Sequence, residues 1–552
     1  MRVPAAMSSV PRTSLVGLPL ERVPGFRRFA IDYAERFEQV DAFFDGNPAE
    51  PDAWQAAIAR TRAFPRARST VRDAVVRQLS RRGAPAEAID AATALADPDT
   101  VAILTGQQAG LFGGPLFTLL KAITALKLAA HVASTHGVRC VPIFWIDAED
   151  HDWDEVRACT VLDAELVPRT VALPAIVPAD HRSAGTRTLD ASVETAIAEL
   201  EAALGETEFT ASLLDRLRSS YRPGASLGGA FAQWLDSVLG ARGLVVFDAA
   251  DAALKPLVAE VFAREIETAG RTSALADEAG RAMVKRGYDA QVTPQPDSVS
   301  LFRLDDGRHP LKVRGGDITW LDSVVAPGML AAHARTAPDH YSPNVLLRPL
   351  VQDSLFPTAA YVAGPSELAY LGQLKQVYAH FGVPMPLFQP RATATLLDSG
   401  AERFLQRYDV DFESLQAQDE HALNVLLESQ LPATVERSFE TMTAAIHTHM
   451  ADIVDAVGNV DATLQGAARS TQGRLEKDLA TLHGKVVQAA KRRDETLRRQ
   501  FTRTRDLTFP GGHLQERALG FVYFLNRYGP ALIDRLEAEL PLSMDRHWLL
   551  TV

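Results

Sequence analysis

Cysteine is almost missing from this chain: Cys140 and Cys159 are the only two in 552 residues. That excludes a disulfide framework and a Cys-rich zinc cluster, and it fits a reducing cytoplasm. No window approaches the roughly 18–20 uninterrupted apolar residues that a bilayer span requires. The amino-terminal stretch MRVPAAMSSVPRTSLVGLPL lacks the continuous apolar segment of a secretory signal. Neither membrane insertion nor export is expected. A basic excess is absent too: 57 Lys and Arg stand against 69 Asp and Glu, a formal charge of −12, which argues against a nucleic-acid or anionic-membrane binder. What the chain does have is apolar bulk, 47% of its residues, enough for cores in two or three domains.

Residues 25–97 read as helices with polar connectors, so 1–97 is expected to be a helical lead-in packed on a core. Val101–Leu104 then reads as a short buried strand, TGQQAGLFGGP as a glycine-rich turn, Leu116–Ala133 as a helix and Val141–Ile146 as a second strand. Strand, turn, helix and strand in that order mark a right-handed βαβ unit and a parallel sheet. Leu244–Phe247, Thr358–Val362 and Pro386–Phe388 repeat the pattern of an apolar run ending in polar residues. The fold class is therefore α/β, with the core over 98–398 and an insertion at about 160–340 in which LFRLDDGRHPLKVRGGDITWL reads as a hairpin-like section. Ligands of such sheets bind beyond the carboxyl ends of the strands. Thr105–Gly114 and Asp147–Glu155 both lie there and are expected to face one crevice.

Further on, Ile446, Met450, Ile453, Val457, Val460 and Leu464 step by four and three. Ala467, Thr471, Leu475, Leu479, Leu482 and Val486 nearly continue the series, with no proline between Pro432 and Pro510. This spacing predicts a long coiled coil within 399–508, paired with an earlier helix over Glu402–Leu431 or with a second subunit. Residues 509–552 are expected to return to the core through HLQERALGFVYFLNRYG.

Three stretches carry candidate chemistry. In TGQQAGLFGGP the glycines let backbone N–H groups approach an anion, and Pro115 as the first helical residue leaves a helix N-terminus open to phosphate or carboxylate. A turn that binds nothing has the same spacing, since neither GxGxxG nor GxxxxGK[ST] is present. Gln107 and Gln108 tilt the balance toward a site, because amides offer directional hydrogen bonds without charge. WIDAEDHDWDE, Trp145–Glu155, holds six carboxylates (Asp147, Glu149, Asp150, Asp152, Asp154, Glu155) and His151. A solvated loop with acids in a first helical turn accounts for it. So does a pocket that binds Mg²⁺, holds an ammonium group or supplies a general base. Its His-x-Asp order does not match HExxH, so zinc is not expected. Gly364-Pro365-Ser366-Glu367 reads as a helix start capped by Glu367, and Arg348 and Arg391 are candidates to clamp a carboxylate or phosphate. The basic run Lys485–Arg505 reads as a solvated coiled-coil face, and Cys140 as a small core residue.

The phrases TGQQAGLFGGPLFTLLKA, VPIFWIDAEDHDWDE, RPLVQDSLFPTAAYVAGPSELAY and LQERALGFVYFLNRYG, in this order, resemble the BshC family, implicated in the last step of bacillithiol synthesis, the addition of cysteine to glucosaminyl-malate. The resemblance runs from about Phe26 to the C-terminus. It implies a Rossmann-like core with connecting-peptide insertions, similar to class I aminoacyl-tRNA-synthetase-type nucleotidyltransferases, and a coiled-coil domain that makes a homodimer. By analogy Thr105, Gly106, Gln107 and Gln108 would bind substrate. Glu149, Asp150, His151 and Asp152 would line the same pocket as catalytic groups, with His151 as the base. Gly364, Ser366 and Glu367 would close its other side, and Arg348 and Arg391 would hold substrate. The implied reaction is amide formation with ATP as the expected energy source and Mg²⁺ as a candidate companion. No HIGH-type or KMSKS-type signature announces adenylation, and two cysteines are too few for the thiolate-holding zinc of the mycothiol-pathway ligases. Two competing readings use the same residues: a metal-dependent amide hydrolase, and a non-catalytic coiled-coil assembly protein that binds a thiol precursor.

Overall fold

The computed structural model describes residues 15–176, 180–430, 433–493 and 495–552. Residues 1–14 of the stretch read for a signal, and Pro432, lie outside them. Two compact units divide the chain, one built from the described part of Met1–Leu396 with Leu514–Val552, the other from Leu397–His513.

In the first unit five parallel strands form the central sheet: β1 (Val101–Gln108), β2 (Cys140–Asp147), β3 (Val245–Asp248), β4 (Thr358–Ala363) and β5 (Leu387–Pro390). Their near-continuous apolar composition suits strands buried on both faces; Val101, Ala102, Ile103 and Leu104 are wholly buried. The spatial order is β5-β4-β1-β2-β3. From β1 the chain therefore steps one way to β2 and β3 and the other way to β4 and β5, which makes the β1/β4 boundary the topological switch point where such sheets hold ligands.

β1 runs further than expected. Thr105–Gln108, read as the start of a turn, stay in the strand, because the parallel ladder with β2 continues to Gln107↔Ile146 and Gln108↔Asp147. The two stretches expected to face one crevice thus leave the sheet from paired neighbouring strands. The helix between them, α1 (Leu116–His136), stops at Gly137 in a left-handed cap (φ 63°). By length and mean hydropathy α1 is apolar enough to cross a membrane, although Lys121 and Lys127 interrupt its apolar run as the sequence shows, and 72% of that window is buried inside the fold. It is the core helix packed on β1 and β2.

The N-terminus of α1 is not open, which corrects the anion-site expectation there. Leu116 N–H donates to Leu519 O at 2.8 Å, and Phe521 N–H donates to Gly114 O at 3.1 Å. A Cβ on Gly113 (φ 99°) would stand 2.3 Å from the Phe521 ring. The returning C-terminal segment thus covers the second half of the glycine turn, and its glycines serve close packing.

The lead-in is helical as expected, with helices Arg28–Glu35, Pro51–Ala63, Arg68–Arg82 and Ala86–Thr93. Ahead of them Leu15–Pro19 forms a strand, antiparallel to Arg546–Thr551 at the far end of the chain. The insertion carries an antiparallel ladder of Ser298–Leu304, Arg308–Arg314, Asp317–Trp320 and Ser323–Val325, with Tyr341–Pro343 on the other side of the first strand.

In the second unit the heptad series forms two helices. Ala433–Gly458 and Leu464–Arg493 lie antiparallel, as the contacts His447–Glu476 (3.4 Å) and His483–Glu436 (3.0 Å) require. Between them Asp461 accepts hydrogen bonds from the Thr463 N–H and hydroxyl, both at 2.8 Å. The expected pairing is corrected in part: within the chain the two halves of the series pair chiefly with each other, while from the expected earlier stretch the helix His421–Ser429 also packs on Leu464–Arg493. Asp461 and Thr463 supply the turn without proline. Met450, Val454 and Val487 are buried, whereas Ile453, Leu475 and Leu482 stay exposed.

Candidate functional site

A cavity of about 440 Å³ opens at the carboxyl ends of β1, β2, β4 and β5. On the β1 side it is lined by Gly106, Gln107 and Gln108. Beneath them Lys121 of α1, fully buried, donates to Gly106 O (2.8 Å) and Gln107 Oε1 (3.1 Å) and pairs with Glu367 Oε2 at 2.6 Å. Burial lowers the Lys121 pKa, with Glu367 opposing. Glu367 stands in the first turn of the helix Pro365–Gly372, where Oε2 also accepts the Gly364 N–H at 2.5 Å and Oε1 accepts the Tyr361 and Tyr370 hydroxyls at 3.3 and 3.4 Å. Helix capping alone does not account for so many partners.

The β2 side carries the charge. Asp147, the last residue of β2, places Oδ2 2.5 Å from Nη1 of Arg348, which opens the helix Arg348–Leu355. Burial pushes the Asp147 carboxyl up to about 6, against the pull of Arg348 and with the repulsion of Asp150. Asp150 behaves oppositely. Burial raises its pKa, yet hydrogen bonding from His151 and the charges of Arg348 and Arg308 hold it well below the usual carboxylate range. Its Oδ2 accepts from Gln108 Nε2 at 3.0 Å. Two neighbouring acids are thereby pushed in opposite directions, the arrangement that separates acid–base roles in one site. Glu155 also lines the cavity, its pKa raised by burial. Along another wall Asp353, only 2% exposed, accepts the Tyr378 hydroxyl at 2.5 Å, and burial lifts it to about 7.

Of the residues named from sequence, Gly106, Gln107, Gln108, Asp150, Arg348 and Glu367 line this cavity. Thr105 lies buried in the sheet, its hydroxyl donating to Val362 O at 3.0 Å. The His151 side chain is 46% exposed and outside the lining, with Nδ1 3.4 Å from Asp150 Oδ1. Asp152 caps the short helix Trp153–Val156 by accepting the Glu155 N–H. Glu149 is turned elsewhere: it accepts from Lys255 Nζ at 2.5 Å and from Ser342 Oγ at 3.1 Å, both buried. Gly364 is the N-cap ahead of Pro365, and Ser366 lines a separate small pocket with Arg27 and Tyr288. Arg391 donates to both oxygens of Glu516, at 2.6 and 2.9 Å, joining the C-terminal segment to the sheet.

Asp147 and Glu155 belong to the acidic stretch, and the strand ending at Asp147 was the signal that marked it. Lys121 and Arg308 are not singled out by the sequence, since their partners come from other elements; Asp353 lies within the candidate stretch that begins at Arg348, but its place in the cavity wall is not assigned by it. The two thiols are not poised as nucleophiles, because burial pushes Cys140 and Cys159 each up to about 12. Among the described residues no group of three or more His, Cys, Asp or Glu side chains is arranged to hold a metal ion.

Comparison with known proteins agrees with this architecture. A family model described as "Bacillithiol biosynthesis BshC, N-terminal Rossmann-like domain" matches residues 18–392. A second, described as "Bacillithiol biosynthesis BshC, C-terminal coiled-coil domain", matches residues 394–552. A protein of Salinibacter ruber is 33% identical over 544 residues, covering 97% of this chain and 98% of its own. One from Koribacter versatilis is 32% identical over 522 residues, 94% and 96% of the two chains. One from Chlorobaculum tepidum is 33% identical over 477 residues, 81% and 82%. All three bear the name "Putative cysteine ligase BshC".

Proposed function

The chain belongs to the BshC family of bacillithiol biosynthesis, and from that premise we propose that it joins cysteine to glucosaminyl-malate through an amide bond, with ATP as the energy source. The observation that carries the reading is the switch-point cavity, where the cation Arg348 meets Asp147, a carboxyl titrating near 6, beside two amides and a second, firmly ionised acid.

Amide formation needs a cysteine carboxylate activated by phosphorylation or adenylation, an amine to attack it, and an acceptor for the proton the amine gives up. The C–N bond forms as the C–O bond to phosphate or AMP breaks. Asp147 is the proton acceptor in this reading, because a base is most effective when its pKa lies near the working pH. Asp150 and Gln108 face the ammonium form of the incoming amine, and His151 supports Asp150 from outside the cavity. Glu149 and Lys255 hold the acidic loop in place. Mg²⁺ enters with the ATP phosphates, as part of that substrate. A metal-dependent hydrolase would need the same acids as ligands, and these are already engaged by Arg348, Gln108 and Arg308.

The reading carries a cytoplasmic location, where cysteine and ATP are at hand. It also carries a homodimer, whose interface would use the exposed Ile453, Leu475 and Leu482 of the helical hairpin. The test is purified protein incubated with cysteine, glucosaminyl-malate and ATP, with product followed by mass spectrometry and the nucleotide resolved as AMP or ADP. Folded protein that makes no cysteine-containing product rejects the proposal.

A further inference from the structure

Gln107 and Gln108 are neighbours in sequence, both line the cavity, and their amides are held by partners of opposite kind. An ammonium group has only donors, so Lys121 Nζ must meet the carbonyl oxygen of Gln107, as it does at 3.1 Å. A carboxylate has only acceptors, so Asp150 Oδ2 must meet the NH₂ of Gln108, as it does at 3.0 Å. Each partner fixes which end of its amide remains for a ligand. Gln107 is left with its NH₂, a donor, and Gln108 with its carbonyl, an acceptor. Neither remaining end has a protein partner among the described residues.

We propose that Lys121 is a positioning residue that commits the Gln107 amide to donate, and that Gln107 thereby reads a carboxylate of the bound substrate. Arg348, the cation of the same cavity, adds charge to this carboxylate end. The carbonyl of Gln108, with Asp150 and Glu155 nearby, makes the other end suited to an ammonium group. Glu367 Oε2, 2.6 Å from Lys121 Nζ, favours the charged form of Lys121 against its burial, so the polarity of Gln107 traces back through α1 to the helix Pro365–Gly372. The proposal rests on the ligase reading for its substrates, and two of them carry the required group: the carboxylate of cysteine and those of the malate moiety.

The experiment compares each carboxylate with a neutral counterpart by calorimetric titration: L-cysteine against L-cysteinamide, and L-malate against its dimethyl ester. Wild-type protein should prefer the carboxylate at least about tenfold in one of the two pairs, and that pair identifies the source. Gln107→Glu, which pairs with Lys121 but offers no donor, should abolish the preference. So should the double variant Lys121→Met/Glu367→Leu, which removes both buried charges together and frees the amide to turn. Melting curves select the variants that fold, and Gln107→Glu alone decides if the double variant does not. A preference that survives in Gln107→Glu, or no preference in either pair for the wild type, overturns the proposal. Turnover of the wild type is scored separately. Product formation with an unchanged preference in Gln107→Glu refutes this assignment and leaves the ligase reading standing. A lost preference without wild-type turnover does the reverse.

Discussion

Nη1 of Arg348 lies 2.5 Å from Oδ2 of Asp147, joining the first residue of a helix from the second half of the sheet to the last residue of β2 in the first half. The pair spans the cavity's charged wall, and it sets the ionisation of the group that takes the proton in the proposed reaction. Burial raises the Asp147 pKa and Arg348 restrains it, leaving it at about 6.

A base must be ionised to act, so kcat/KM should rise with pH through about 6 in the wild type. Replacing Arg348 by Gln removes the charge that favours the carboxylate, and the acid limb should move up by roughly one to three pH units. A pH–rate profile for the two proteins measures this. A limb that stays where it was would take Asp147 out of the base role.

Asp353 gives a stability signature of its own. Its carboxyl is raised to about 7 in the folded chain, chiefly by burial, above the roughly 3.9 of an unfolded Asp. The folded state therefore holds the proton over a range where the unfolded state has lost it. The contribution is fully present below about pH 4 and is lost as pH rises through about 7. Asp353→Asn should gain stability relative to wild type across that window, read by denaturant melts at pH 4.5 and 7.5. A constant difference between the two proteins contradicts the assignment.

Glu149 and Lys255 form a buried pair, each under a tenth exposed. Lys255→Met leaves a carboxylate without its counter-charge and should cost about 3–5 kcal/mol in unfolding free energy. The double variant Lys255→Met/Glu149→Leu should recover most of that loss. If both variants unfold alike, the pair does not stabilise through mutual compensation.

Leu475 and Leu482, one heptad apart on the Leu464–Arg493 helix, are both exposed. Leu475→Glu/Leu482→Glu should keep its helix content and shift the mass in multi-angle light scattering from dimer to monomer. A wild type that is already monomeric removes the dimer from the account.

The sheet was readable because parallel strands buried on both faces must be near-continuous apolar runs, and β1, β2, β3, β4 and β5 all are. Their ends were less readable. Thr105–Gln108 are polar and glycine-bearing like a turn, yet pairing with β2 keeps them in the strand. The heptad series correctly showed paired helices but not that the series folds back at Asp461, because a/d spacing runs through the turn without a break in phase. Leu15–Pro19 has no local strand signal, and its pairing with Arg546–Thr551 is a property of the closed fold. In the site, Gln107, Gln108, Asp150, Arg348 and Glu367 could be named from sequence, while Arg391, chosen on the same grounds as Arg348, serves the core with Glu516. Lys121 sits in an apolar helix and reads as an interruption until Glu367 and Gln107 are brought to it.

The central claim is that the amide bond is made in the switch-point cavity with Asp147 as proton acceptor. The most direct measurement is the rate of product formation from cysteine, glucosaminyl-malate and ATP by wild type and by Asp147→Asn of matched melting temperature. The account predicts product from the wild type and a rate lower by about 10²–10⁴ in the variant. Equal rates from the two proteins would contradict it.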